Sequence, residues 1–439
     1  MSSAPDETGR QEGEILIDAA QLRPGVHVRL PVPWIEHQFM FSSFVIVDEE
    51  QARLIAAMKL PQLFCDPMRC RVPPLPPPST GNPATCAANR ETAPDRAHLA
   101  ALTTARLAEK QARSQAMERL REGLDKAQKH YLSAARAVAG ALAAFAGNPC
   151  EAIREVARVS EDSTAALLAD PDSAIVLIAE KAHQDGHAAH SLSVMTLSLL
   201  LGKQAQLPPA ALQAIGIGAL LHDIGKLQVN PAILRNNQRN RHEEAIYQSH
   251  CRSGFDAAAR AGSLAQSIRH AILHHHERYD GQGFPDRLSA NAVPLAARVV
   301  AIANRFDNLV NPPDHRRAIS PSEALSTLWM RERSAFDPML LQLFIRAMGV
   351  YPPGSIVQLS DGRSAAVIGS AGADKPLRPK VMVYAPEVPR RQSIIVDLAL
   401  DDGLSIERPL RLQDRTIDEL DYLLPRRKIN WSYMAERTC

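Results

Sequence analysis

Histidine is the residue type through which this sequence could do chemistry. The chain has 15 histidines, and ten of them fall between His183 and His276. Five pieces of the surrounding region stand out. They are His190-Ser191 opening HSLSVMTLSLLLG, LLHDIGK with His222, Asp223 and Lys226, and His250 in SHCRSG. After these come HHHERYDGQGFP, with His274, His275, His276 and Glu277 before a glycine-rich turn, and AIANRFDNL with Asn304 and Asp307. The pair His222-Asp223 ends the apolar run AIGIGALL, where such side chains are poorly solvated unless a cation meets them. Neutral imidazoles together with a carboxylate suit iron, manganese, zinc or nickel. A carboxylate can also bridge two ions, which an imidazole cannot. Two ions about 3.5–4 Å apart would polarise a phosphodiester and make water nucleophilic near neutral pH. The ammonium of Lys226 would hold a phosphate as a point charge.

Each piece also has a plainer reading. A lone His190 or His250 is an ordinary surface or core histidine, and His274–His276 form a solvated helix face. Lys226 is a charge favoured by a helix C-terminus, and DGQGFP is a turn. His183, His187, His242, His270 and His315 are read as structural. The joint order of the five pieces along one run of helix is what favours the chemical reading.

The elements that must position these residues follow from periodicity and punctuation. Residues 150–350 read as amphipathic helices separated by turns at Asp170-Pro171, Pro208-Pro209, Asn230-Pro231 and Gly281–Pro285. Asn230 before Pro231 is a good cap and first-turn pair. Residues 1–13 are expected to be disordered. Residues 14–70 read as a small mixed domain with alternating Val26, Val28 and Leu30 after Pro24-Gly25, and a helix capped by Asp48. The proline-rich stretch 71–95 reads as a linker and 96–149 as a charged helical arm. Residues 351–439 read as a small β-rich extension. The fold class expected is mainly α, with a small N-terminal α/β or β-rich domain and a β-rich C-terminal appendage.

The joint histidine pattern resembles the HD-GYP family, a branch of the HD metal-dependent phosphohydrolases. The residues that carry it are HS at 190–191, LLHDIGK at 220–226, His250 with Gly254, HHER at 275–278 and DGQGFP at 280–285, followed by FDPMLLQLFIRAMGVYPPGS. The N-terminal LRPGVHVRL, WIEHQFMFSSFVI and CDP are similar to a domain of unknown function that often precedes HD-GYP. The resemblance implies an all-helical domain at 150–350 that hydrolyses cyclic di-GMP to pGpG and/or GMP. It implies two divalent transition-metal ions, iron or manganese, held by His190, His222, Asp223, His250, His275 and His276, with Asp223 bridging. Lys226 would hold the scissile phosphate, making Asp223 and Lys226 the catalytic pair. Asp280, Gly281, Gly283, Phe284 and Pro285 form the signature loop beside the substrate, with Phe284 where the family has Tyr.

Besides Phe284, three departures from the family bear on the enzyme reading. Asn304 stands where the family has a metal-binding Asp, and Asp307 lies one helical turn on. The segment NPPDHRRAIS lacks the usual R-P-Y-R sequence, leaving Arg316 or Arg317 to meet a phosphate. Gly186 stands where members with a third metal have Glu, so two ions are expected. The alternative reading is a weak or inactive module that binds cyclic di-GMP or a signalling partner, such as a diguanylate cyclase-type protein. A homodimer through the helical arm is a further expectation.

Composition removes other classes. Among 439 residues, Lys plus Arg number 50 and Asp plus Glu 48, a net charge of +2 that argues against adhesion to a nucleic-acid polymer or an anionic membrane. Cys65, Cys70, Cys86, Cys150, Cys251 and Cys439 share no repeated spacing, so reduced thiols are expected. The best apolar run, Ala137 to Gly147, is far short of the roughly 20 residues of a membrane span. The polar N-terminus has no signal-peptide core, and a cytoplasmic protein is expected.

Overall fold

The computed structural model describes residues 10, 13–33, 36–39, 41–77, 93–169, 186–236, 238–262, 264–312, 317–369, 375, 377–386, 388, 393–401 and 403–424. Most of residues 1–13, the linker from 78 to 92, the Asp170-Pro171 turn, His183, His315, Arg316, Cys86 and Cys439 lie outside the described residues. The chain divides into two compact units. One is Met1–Arg119 with Ala385–Ile394, the other Leu120–Tyr384 with Ile395–Cys439.

In the first unit, strands β1 (Ile15–Ile17), β2 (His27–Arg29), β3 (Ser43–Val45) and β4 (Leu63–Cys65) form one sheet in the order β1-β4-β2-β3. Neighbouring strands run antiparallel, with Ile15 opposite Cys65 and His27 opposite Val45. Helix α1 (Glu49–Ala57) begins at Asp48, whose side chain accepts from the Gln51 N–H, as the sequence indicates. Its Leu54 and Ile55 join Val26, Val28, Leu30, Ile46 and Leu63 in the core. The first residues of the proline-rich stretch lie on this core. The Arg71 N–H donates to the Gly25 carbonyl at 2.8 Å and the Leu75 N–H to the Gln21 carbonyl at 3.0 Å. Gly25 sits at φ +92, and a Cβ there would come 2.9 Å from Val72 Cγ2.

Helix α2 (Ala93–Ala144) and helix α3 (Pro149–Ala169) lead into the helical region of the second unit. There follow α4 (Gly186–Gln204), α5 (Pro209–Leu221), α6 (Pro231–Arg235), α7 (Arg241–Gln248), α8 (His250–Arg260), α9 (Gln266–His274), α10 (Leu295–Val310), α11 (Pro321–Met330) and α12 (Pro338–Met348). Helix α5 carries no charged side chain, and Ile215 to Leu221 are all buried. A helix apolar all round belongs inside a bundle, and α5 packs against α3, α4, α9 and α10. The turns at Pro208-Pro209 and Asn230-Pro231 fall where expected, the Asn230 side chain accepting from the Ala232 N–H. Strands β5 (Ile356–Leu359), β6 (Ser364–Gly369), β7 (Lys380–Val383), β8 (Ile394–Asp397) and β9 (Ile406–Leu410) follow in the order β8-β7-β6-β5-β9. Helix α13 (Ile417–Leu423) buries Leu420 and Leu423 with Ile356 and Leu410 of this sheet.

The fold class is therefore mainly helical with two small sheets, one near each end of the chain. Cys65, Cys70, Cys150 and Cys251 are free thiols. Among the described residues no helix is long and apolar enough to cross a membrane.

Candidate metal centre

The apolar helix α5 stops at Leu221, and the next two residues turn their side chains to one point. His222 donates its Nδ1–H to the Ala219 carbonyl at 2.7 Å, which fixes the ring and frees Nε2. Asp223 has φ −99 and ψ 11 and opens a short 3-10 turn, Ile224–Gln228. Gly225 in that turn lets the backbone meet the start of α8. A Cβ there would fall 2.0 Å from the His250 carbonyl oxygen and 2.7 Å from the Gly254 nitrogen. The close approach brings His250 beside Asp223.

Two further imidazoles are fixed in the same way. His250 donates from Nδ1 to the Tyr247 carbonyl at 2.5 Å, and His275 from Nδ1 to the Ile272 carbonyl at 2.8 Å. A backbone bond on one ring nitrogen sets the tautomer and leaves a lone pair on the other. His190 on α4 instead donates Nδ1–H to Asp307 Oδ2 at 2.6 Å. Asp307 thus serves His190, a partner across 117 positions that the sequence does not reveal.

Asp223 lies between two groups. Its Oδ1 is 3.5 Å from His250 Nε2 and 3.6 Å from His275 Nε2. Its Oδ2 is 3.3 Å from His222 Nε2 and 3.8 Å from His190 Nε2. The groups are Asp223 with His250, His275 and His276, and Asp223 with His190 and His222, each with ligand atoms within 4.8 Å of one another. Donors around one tetrahedral ion at 2.0–2.1 Å stand roughly 3.3 Å apart. His222 Nε2, Asp223 Oδ1 and His276 Nε2 are buried without a hydrogen-bond partner. Orphaned polar atoms of this kind are costly unless something meets them. The donor set and its spacing fit metal ions.

The electrostatics agree. Burial pushes His275 down to about 3, and it holds His190, His250 and His276 below their ordinary range. The rings are therefore neutral, which is the form that ligates. Burial alone would raise the Asp223 carboxyl, but the attraction of His222 and of the Lys226 ammonium outweighs it and holds the group well below the usual range. Lys226 donates from Nζ to Asp223 Oδ2 at 2.6 Å and sits 5.6 Å from the centroid of the Tyr247 ring. Tyr247, unnoticed in the sequence, also stands against His250, with centroids 5.2 Å apart.

The loop after His276 closes beside the cluster. Phe284 stacks on His276 with centroids 4.6 Å apart and planes 20° from parallel. Gly283 leaves no room for a side chain, because a Cβ would meet the Arg278 nitrogen at 2.3 Å and the His276 oxygen at 2.6 Å. Glu277 accepts from the Asp286 N–H at 2.7 Å and the Leu288 N–H at 3.1 Å, a clamp that the sequence did not suggest. Asp280 is held by Arg278 at 2.6 and 3.0 Å and accepts from the Gln282 N–H, so it shapes the loop itself, with Gly281 at φ +78.

The solvated-face reading of His274–His276 does not hold, since His274 and His275 are buried. Asn304 is buried on α10, where its Oδ1 accepts from Asn308 Nδ2 at 2.7 Å. Arg317 is exposed. Of the histidines read as structural, His187 and His242 are exposed and His270 is half-buried.

A helical domain with a His-Asp pair at its centre and imidazoles converging on it is of the HD class. Residues 172–340 match the family model described as an HD domain, and residues 14–156 match the domain of unknown function DUF3391. The chain thus carries an HD domain behind DUF3391, and the HD-GYP resemblance read from the motifs holds. It is 28% identical over 241 residues to the cyclic di-GMP phosphodiesterase PA4108 of Pseudomonas aeruginosa, covering 54% of this chain and 57% of that protein. It is 30% identical over 167 residues to the cyclic di-GMP phosphodiesterase response regulator RpfG of Xanthomonas campestris pv. campestris, covering 37% of this chain and 44% of that protein. The matches therefore span about half the length of these relatives. A solved structure, Bd1817, a HDG"Y"P protein from Bdellovibrio bacteriovorus, aligns at a TM-score of 0.44 and 15% identity over 75% of this chain and 98% of that one.

Proposed function

We propose that residues 150–350 hydrolyse cyclic di-GMP to pGpG and/or GMP at a two-metal centre of iron or manganese. The observation that carries this reading is the shared carboxylate: each oxygen of Asp223 faces its own pair of imidazoles. Metal ions at the two groups would supply Lewis acidity to the phosphodiester and lower the pKa of water. His190, His222, His250, His275 and His276 hold their lone pairs toward those positions. Lys226, whose Nζ reaches Asp223 Oδ2 beside these positions, would anchor a non-bridging phosphate oxygen. Phe284 on His276 offers an apolar wall beside the cluster, against which a guanine would rest, with Gly281, Gly283, Asp280 and Pro285 setting the loop. Arg317 is the further cation available to a phosphate. Residues 14–70 act as a regulatory domain, in a cytoplasmic protein.

Purified full-length chain, reconstituted with iron or manganese and given cyclic di-GMP, should yield pGpG or GMP by liquid chromatography. His222→Ala should abolish both metal retention and turnover. A fully loaded wild type that leaves the dinucleotide intact would sink the reading. Asn304 favours a second reading, because a neutral amide already bonded to Asn308 adds no charge for a cation. In that case the domain binds cyclic di-GMP without cleaving it and signals through a partner of the diguanylate cyclase type or a second copy. Calorimetric binding with no product would support it. Asn304→Asp separates the two, since it should raise metal occupancy and rate together.

A further inference from the structure

A third group of ligand-type side chains lies at the end of α9, sharing no residue with the two groups around Asp223. His274 is 6% exposed, and its Nδ1 has no hydrogen-bond partner. That nitrogen lies 3.9 Å from Glu277 Oε1 and 3.7 Å from Asp286 Oδ2. Both distances are too long for a hydrogen bond, so the buried nitrogen stands unpaired between two carboxylates.

The carboxylates are held in place by other bonds. Glu277 Oε1 accepts from the Asp286 N–H, Glu277 Oε2 from the Leu288 N–H, and Asp286 Oδ1 from Arg252 Nη2 at 2.7 Å. Asp286 Oδ2 takes none of these. The spacing to His274 closely resembles the 3.3 to 3.8 Å found around Asp223. A contraction of a few tenths of an ångström would reach the roughly 3.3 Å between donors on one zinc ion. Glu277 stands just before the loop Asp280–Pro285 and Asp286 just after it. Asp286 is exposed, which gives an ion a route in and leaves a place for water.

We propose that His274 Nδ1, Glu277 Oε1 and Asp286 Oδ2 form a separate site for one zinc-class divalent cation, which ties both ends of the signature loop to the end of α9. The site goes beyond the phosphodiesterase reading and does not depend on it. Its test is zinc stoichiometry. Full-length protein stripped by chelator is dialysed against buffered free zinc, and metal per chain is measured by mass spectrometry. His274→Gln and Asp286→Ala should each hold one zinc fewer than wild type. The same single loss should appear when His274→Gln is added to Asp223→Asn, where the main centre is already impaired. Circular dichroism checks folding, and if His274→Gln does not fold, Asp286→Ala at the exposed ligand decides. Folded variants that bind as much zinc as wild type overturn the site. So does a loss in His274→Gln that Asp286→Ala does not share. Failure of Asp223→Asn to lose zinc would count against the main centre and leave this site standing.

Discussion

Asp223 is the residue both ligand groups share, but the positions of its imidazoles are set by groups behind them. His222, His250 and His275 lean on backbone carbonyls that no side-chain substitution removes. His190 leans on a side chain, Asp307. Asp307→Ala should therefore leave four imidazoles in place and free one ring to rotate. Loss of such a supporting partner typically weakens metal binding roughly 10–100-fold. Competition with a calibrated chelator would read that change, and unchanged affinity would show that His190 needs no support. The His222-Asp223 pair was legible because seven consecutive buried residues precede it and no solvation remains for a charge there. The partner of His190 was not legible. Sequence spacing puts Asn304 and Asp307 one turn apart on α10, but it does not say which of the two side chains faces a ring on α4. The stacking of Phe284 on His276 was likewise hidden, because it depends on how the loop folds back.

The elements converge because glycine permits close backbone contact at two points. Gly225 lets the 3-10 turn after Asp223 rest on the first turn of α8, and Gly283 lets the signature loop fold onto His276–Arg278. Gly225→Ala puts a methyl against a carbonyl oxygen, which cannot move without displacing His250. The expected result is a loss of about 1–3 kcal/mol in stability, typical of overpacking, together with loss of metal from the group containing His250. Denaturant unfolding and metal analysis of the same sample would test both, and a stable, fully loaded variant would contradict the argument. Gly283→Ala puts a methyl against the Arg278 nitrogen and the His276 carbonyl oxygen and pushes the loop off them. It should raise KM for cyclic di-GMP more than it lowers kcat, as steady-state kinetics would show. Caps and turns at this scale were legible: Asp48 and Asn230 cap the helices they were expected to cap. The proline-rich stretch was less so. Composition marks it as unable to build a core, yet Arg71 and Leu75 bond to an existing one through backbone groups that composition does not encode.

At the scale of the molecule, the two units share one electrostatic feature: each buries imidazole in its neutral form. In the first unit His37 is 1% exposed, accepts the Phe39 N–H on Nδ1 and donates from Nε2 to Ser42 Oγ at 3.0 Å. Both ring nitrogens are thus committed, and a second proton would break the bond from Phe39. Burial, helped by the Lys110 charge, brings His37 down to about 4. Lys110 donates to the His37 carbonyl at 2.6 Å, and burial brings its ammonium down to about 8. The two groups have the same sign of linkage. Between pH 6.5 and about 4 the unfolded chain protonates His37 while the folded chain resists, so the His37 contribution to stability is fully present above 6.5 and is lost as pH falls. Between about 8 and 10.5 the unfolded chain holds the Lys110 proton and the folded chain does not, so stability rises with pH there as well. In chelator, where metal release cannot contribute, thermal unfolding of the wild type should therefore show a midpoint that drops from pH 6.5 to 4. His37→Gln keeps a polar group of similar reach and removes the titration, so its midpoint should fall less over that interval. Equal slopes in the two proteins would mean that the acid sensitivity lies elsewhere, in the imidazoles around Asp223, and that the first unit contributes little to it.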